Sequence, residues 1–193
     1  MRVLVACEFS GIVREAFARL GHDAWSCDLL PSEIPGNHIM GDVFHIIRPG
    51  KWDLLTAHPP CTYLCNSGVR HLYDKVNGKA RWRAMHKAAQ FFVELLAAPI
   101  PLIAIENPIM HSHARTLIKQ TYSQIIQPWQ FGHGETKATC LWLKGLPELK
   151  PSKIVSGRVA RVHLEPPSQE RWKNRSRTYQ GIANAMAKQW GRL

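Results

Sequence analysis

The chain has 193 residues, 45% of them apolar, enough to bury one substantial core without disulfide or metal staples. No run of about 18 uncharged apolar residues occurs, so no membrane-spanning helix is expected. With 25 Lys+Arg against 14 Asp+Glu the formal net charge is +11, which favours a polyanionic partner, most often nucleic acid.

In chain order, "RVLVAC" (2–7) reads as a first buried strand ending at "EFSG", and "IVREAFARLG" has helical apolar spacing that stops at Gly21. "HDAWSCDLLP" predicts a second strand closing on Asp28, "GNHIMGDVF" a third short element ending near Asp42, and "WDLLTA" a fourth strand before "HPPC". "RWRAMHKAAQFFVELLAA" (81–98) is an amphipathic helix and "PLIAIENP" (101–108) a buried strand with polar residues at its end. "ARTLIKQTY" (114–122) reads as a helix, "ATCLWLKG" (138–145) as a strand and "TYQGIANAMAKQWGRL" (178–193) as a closing helix. The proline-containing, highly charged stretch 147–178 reads as an extended arm.

Alternating strands and helices predict an α/β domain over 1–193 with a mostly parallel sheet flanked by helices. The first apolar run is too short for a signal peptide and is followed by acidic Glu8. The cysteines number five, an odd count, with Cys7, Cys61 and Cys140 in or beside strand-like runs. Together these features suit a reducing, cytoplasmic setting rather than a disulfide framework.

In parallel sheets ligands sit beyond the carboxyl ends of the strands, and Glu8, Asp28, Asp42, Cys61, Glu106 and Asn107 all fall there. The two prolines of "HPPC" stiffen the turn that delivers Cys61. A thiol so placed is a nucleophile if a nearby cation or helix N-terminus stabilises its thiolate, and otherwise an ordinary buried residue. Glu106 at the end of an apolar strand is expected to be desolvated, with a raised pKa useful for proton exchange, or else to be a capping or ion-pairing carboxylate. "CTYLC" and "HSH" lack the paired spacing of a zinc site, so no metal is expected. "EFSG" carries one glycine rather than a G-x-G-x-x-G set, which suits a cofactor without phosphates better than a dinucleotide.

Read together, these pieces resemble the C5-cytosine DNA methyltransferases. "EFSG" is similar to that family's F-x-G turn, which implies Phe9, Ser10 and Gly11 at S-adenosylmethionine. Asp28 matches the acid that holds the ribose, and Asp42 of "GDVF" the one that touches the adenine. "DLLTAHPPCTYLCNSG" (53–68) parallels the motif of the nucleophile, which implies Cys61 in that role and Pro59 beside the cofactor. "IENP" matches the Glu-Asn-Val motif, which implies Glu106 at the target base with Asn107 beside it. "FGHGETKATCLWL" (131–143) looks like a degraded R-x-R motif, and "YQGIANAMA" (179–187) resembles the last one, placing Asn184 at the cofactor.

The departures are specific. Val13 and Arg14 stand where a glycine is expected. Thr62 replaces a glutamine, and Lys137-Ala138-Thr139 replaces R-x-R, so Lys137 is left as the catalytic cation. Only about thirty-five residues separate the last two motifs, too few for a target-recognition domain, and the basic arm stands in its place. The resemblance implies a Rossmann-like S-adenosylmethionine-dependent methyltransferase fold. It also implies methyl transfer to cytosine C5 in DNA, with the base flipped out of a duplex or the DNA single-stranded. Arg158, Arg161, Arg171, Lys173, Arg175 and Arg177 of the arm are expected to hold phosphates, with Trp172 available to stack on bases. The alternatives are a mononucleotide- or RNA-modifying enzyme of the same fold and a non-catalytic binding module. So stripped-down an enzyme suits a phage or mobile element; oligomeric state is not legible.

Overall fold

A computed structural model describes all of residues 1–193. Its centre is a seven-stranded sheet of order β3-β2-β1-β4-β5-β7-β6, built from β1 (Arg2–Ala6), β2 (Asp23–Asp28), β3 (His38–Met40), β4 (Leu54–Ala57), β5 (Leu102–Pro108), β6 (Gln124–Ile126) and β7 (Thr139–Lys144). The first five strands pair in parallel, and β7 runs antiparallel to both β5 and β6. This is a Rossmann-like α/β sheet. The strand order reverses between β1 and β4, so the carboxyl ends of these two strands open a crevice.

The central strands read as continuous apolar runs because both sheet faces are covered. One face packs on α2 (Gly78–Leu96) and α3 (Ser112–Ile118) through Leu55, Ile103, Met85, Phe92 and Trp142. The other packs on α1 (Ile12–Ala18) and α6 (Gln180–Trp190) through Val3, Val5, Phe17, Ile182 and Trp190. No helix is long and apolar enough to cross a membrane.

Four elements differ from the sequence reading. The stretch before α2 winds into a 3-10 helix over Asn66–Tyr73, and α2 starts at Gly78 rather than 81. The helix expected over 114–122 is α3, which His111 opens by accepting from the Ala114 N–H; it stops where Lys119 turns left-handed at φ 56. β1 ends at Ala6 because Cys7 is itself left-handed at φ 56. The arm 147–178 is not free: it carries α4 (Arg161–Leu164) and α5 (Arg171–Ser176), buries Leu149 and Val162, and bridges to Phe131 and Glu135.

Buried Arg14 explains how a first turn with one glycine stays shaped. Its guanidinium donates to the Ser26 and Ser32 hydroxyls and to the carbonyls of Ile34 and Pro35, all within 3.1 Å. It thereby fixes the β2–β3 loop over α1. At Gly11, where φ is +72, an added Cβ would lie 2.6 Å from Ile34 and 2.7 Å from Arg14, so glycine is required for both reasons.

Candidate active site

Beyond the carboxyl ends of β1, β2, β4 and β5 lies one cavity of about 870 Å³. Cys7, Phe9 and Asp28 line one end; Cys61, Cys65, Glu106 and Lys137 line another, and Val162, Trp172 and Arg175 of the arm close over it. The turn following β4 brings in His58, Pro59 and Cys61, and Arg81 of α2 braces that turn. Its guanidinium donates to the Thr62 carbonyl at 3.1 Å and lies 5.0 Å from the Tyr63 ring centroid.

The thiol is paired. The helix N-terminus expected to favour a thiolate is present, but it serves Cys65, the residue capping the 3-10 helix. The hydrogen bond from Cys61 lowers the Cys65 pKa; burial opposes this, while the Ser67 hydroxyl at 3.1 Å and the N–H groups of Ser67 and Gly68 assist. Cys61 is correspondingly pushed up, by its bond to Cys65, by burial and by the neighbouring negative sulfur, with Lys137 pulling the other way. The anion of the pair therefore rests on Cys65, and Cys61 holds the proton.

His58 is the residue the sequence reading missed. Ala57 of β4 pairs with Ile105 of β5, so His58 and Glu106 come next on adjacent strands and point to the same face. His58 Nδ1 sits 3.0 Å from Glu106 Oε2, with both side chains 12% exposed. Burial alone would lower the His58 pKa, but Glu106, with Glu8 behind it, holds it above the ordinary histidine value. Burial was expected to raise Glu106; the His58 bond and charge, with Lys137 nearby, bring it below the ordinary glutamate value instead. Both shifts favour the imidazolium–carboxylate form of the pair, and His58 Nε2 is buried with no hydrogen-bond partner.

Of the residues expected at the cofactor, Phe9, Asp28 and Pro59 line the cavity. Asp28 accepts from the Leu30 N–H with Oδ1, leaving Oδ2 for a hydroxyl. Ser10 and Gly11 do not line the cavity: the Ser10 hydroxyl turns to buried Glu8 at 3.3 Å. The Glu8 carboxylate takes the first free N–H groups of α1, from Val13 at 2.6 Å and Arg14 at 3.2 Å. A ligand phosphate is thus kept off that helix end, and Asp28 and Phe9 offer a carboxylate oxygen and an apolar ring to a phosphate-free ligand.

Asp42 caps the 3-10 turn Val43–His45 through the Phe44 N–H and lies outside the cavity lining. Asn184 is on the exposed face of α6, accepting from Gln180 at 2.9 Å, and does not line the cavity. Asn107 is buried within β5, donates to the Pro108 carbonyl at 2.7 Å and does not line the cavity. Thr139 is buried in β7 and bonded to the Lys137 carbonyl, so Lys137 is the cation of its segment that reaches the site.

The arm's cations are largely committed within the chain. Arg177 forms two bonds to Glu33, Arg161 pairs with Glu135, Lys173 with Glu170, and Arg171 donates to the Glu165 carbonyl. Arg158 lies 4.0 Å over the Trp129 ring, and Arg175 turns into the cavity wall. Trp172, expected to stack on bases, packs against Phe9 with ring centroids 5.7 Å apart. The uncommitted positive charge sits elsewhere. Arg70, Lys75 and Lys79, next in sequence to the cavity-lining His71, Asp74 and Ala80, are exposed and form no salt bridge, and so are Arg83 and Lys87 further along α2.

No protein-family model and no curated protein matches this chain. Among solved structures, it is similar to a prophage-encoded E. coli protein described as a DNA modification methyltransferase (15% identity, TM-score 0.48, 86% of this chain and 55% of that one). It is similar also to the Entamoeba histolytica methyltransferase EhMeth (16%, 0.46, 79% and 57%) and to the S. pombe Dnmt2 methyltransferase (14%, 0.41, 85% and 53%). The chain spans little more than half the length of each, and at these identities and scores the functional reading rests on the site alone.

Proposed function

We propose that this chain is an S-adenosylmethionine-dependent methyltransferase acting on C5 of cytosine in DNA through a covalent bond to Cys61. The observation that carries the reading is that one cavity holds a paired thiol, the Glu106 carboxylate and the Asp28–Phe9 wall together. The resemblance of "PPC", "ENP" and their order to the C5-cytosine enzymes points the same way.

Cytosine C5 is a poor nucleophile. As Cys61 attacks C6, its proton passes to the Cys65 thiolate, and C5 becomes enamine-like. Glu106 faces N3 and the exocyclic amine of the base, and Lys137 offsets the charge of the thiolate pair. When bound, S-adenosylmethionine supplies the methyl group that C5 takes. Water then takes the C5 proton, the C–H electron pair re-forms the C5=C6 bond, and the C6–S bond breaks to return Cys61, which recovers its proton from Cys65. Asp28 and Phe9 hold the cofactor, with Trp172 packed against the Phe9 ring. The exposed, unpaired cations from Arg70 to Lys87 suit phosphates read without sequence preference.

A pyrimidine mononucleotide is the second reading, favoured by the arm's internal ion pairs, which spend charge that a DNA grip would use. The experiment is to supply labelled S-adenosylmethionine with cytosine-containing DNA or with dCMP, to wild type and to Cys61→Ala. Label in 5-methylcytosine with wild type alone supports the proposal. Label in dCMP and none in DNA selects the second reading. Equal labelling by both proteins removes the thiol mechanism.

A further inference from the structure

The function above needs a proton at pyrimidine N3, because attack at C6 pushes an electron pair onto that nitrogen. Glu106 is the group placed to donate it, yet its bond to His58 favours the carboxylate form of Glu106. The proton must come from a neighbour, and one neighbour is bonded to it: His58 Nδ1, 3.0 Å from Glu106 Oε2.

We propose that His58 is a positioning residue and the proton source of this site, handing its Nδ1 proton to Glu106 as Glu106 protonates the attacked pyrimidine. The balance is complete. The S–C6 bond forms, and the C5=C6 π pair becomes the C4=C5 bond. The C4=N3 π pair moves to N3 and takes the one proton transferred, which passes from His58 Nδ1 to the Glu106 carboxylate and on to N3, leaving His58 neutral and Glu106 again a carboxylate. Elimination reverses the proton transfers.

Three observations carry this inference, which rests on the proposed function. His58 and Glu106 occupy adjacent positions on neighbouring parallel strands and share the cavity wall. Their bond is sheltered from water, so it is not a screened surface pair. His58 also keeps Nε2 buried without a partner, a cost that a purely structural residue in this position would avoid. The charged groups facing the ring are Glu106 from β5, Glu8 from the β1–α1 turn, and Lys137 from the segment before β7. Burial and the ammonium oppose the charged ring, and the two carboxyl groups outweigh them, so its pKa lies above the ordinary histidine value.

The test is His58→Gln, whose amide can still donate to Glu106 but cannot give up a proton. Methyl transfer into cytosine DNA at neutral pH is expected to fall about 10²-fold in kcat. KM for DNA should change little, and the alkaline limb of the pH profile should move to lower pH. An active wild type whose rate and pH limb are matched by His58→Gln overturns the inference while leaving the proposed function standing. A wild type inactive on every pyrimidine substrate removes both. Because the variant could misfold, the imidazole of unmodified protein is also titrated by ¹⁵N NMR. His58 is expected to titrate above the ordinary histidine value, and titration at or below it overturns the inference without any activity measurement.

Discussion

Replacing Cys65 with serine separates the two roles in the thiol pair. In the wild type one thiolate exists well below the usual thiol range, because the Cys61 thiol, the Ser67 hydroxyl and the N–H groups of the helix start favour the Cys65 anion over the cost of its burial. Serine keeps the size and the Ser67 contact but does not ionise. Cys61 must then lose its proton by itself, from a buried position, at or above the ordinary thiol value of about 8.5. At pH 7 such a thiol is about 3% ionised, against nearly complete ionisation of the native pair, so the thiolate population falls about 30-fold. The acid limb of methyl transfer, set by the lowered Cys65, should move up in pH by the same cause. Iodoacetamide alkylation followed by mass spectrometry reads the thiolate at each position, and a pH–rate profile reads its use. If Cys65→Ser is alkylated at Cys61 as fast as the wild-type pair at pH 7, with an unmoved acid limb, the proton-sharing account of these two sulfurs is wrong.

Other outcomes follow from the same geometry. Arg14→Ala leaves two serines and two carbonyls without their shared donor around a fully buried position, and should cost about 3–5 kcal/mol in denaturant unfolding; a cost under about 1 kcal/mol would mean the loop holds itself. The wild-type rate should be bell-shaped in pH. It rises as the Cys65 side deprotonates and falls as pH passes the raised His58 value; a profile flat from mild acid to mild base contradicts both assignments. Lys79→Ala and Arg83→Ala should each reduce the slope of log affinity against log salt for DNA by about 1, whereas Lys173→Ala should change it little. The reverse ranking would return the phosphate grip to the arm.

Much of this architecture was legible because burial on both faces writes itself as apolar runs: "VLVA", "LLTA" and "LIAI" could hardly be anything but central strands. The 3-10 segment Asn66–Tyr73 has no such signature. Its polar, glycine-containing sequence takes shape from Arg81 and the turn above it. Lys119 ended α3 early because its left-handed backbone is a tertiary choice that apolar spacing does not encode.

At the site, Cys61 and Glu106 were readable from strand ends. His58 was hidden because "HPPC" draws attention to the prolines, and only the β4–β5 register puts the ring beside the carboxylate. The shift of Glu106 was misjudged for the same reason: burial is visible in an apolar run, but a partner on another strand is not. Asn184 shows the opposite failure. Motif matching placed it at the cofactor, although Ile182, Ala183, Ala185, Met186 and Ala187 are the buried residues around it, and the α6 period turns position 184 outward. The basic arm was judged by charge alone, and Glu33, Glu135 and Glu170, two of them distant in sequence, neutralise much of it.

The most direct measurement is intact-mass analysis of the protein incubated with S-adenosylmethionine and DNA carrying 5-fluorocytosine, where a fluorine in place of the C5 hydrogen prevents the final elimination. A mass increase equal to the methylated strand, mapped by peptide digestion to Cys61 and lost in Cys61→Ala, is the predicted result. An adduct on another residue, or methylated DNA released with no adduct at all, would contradict the account.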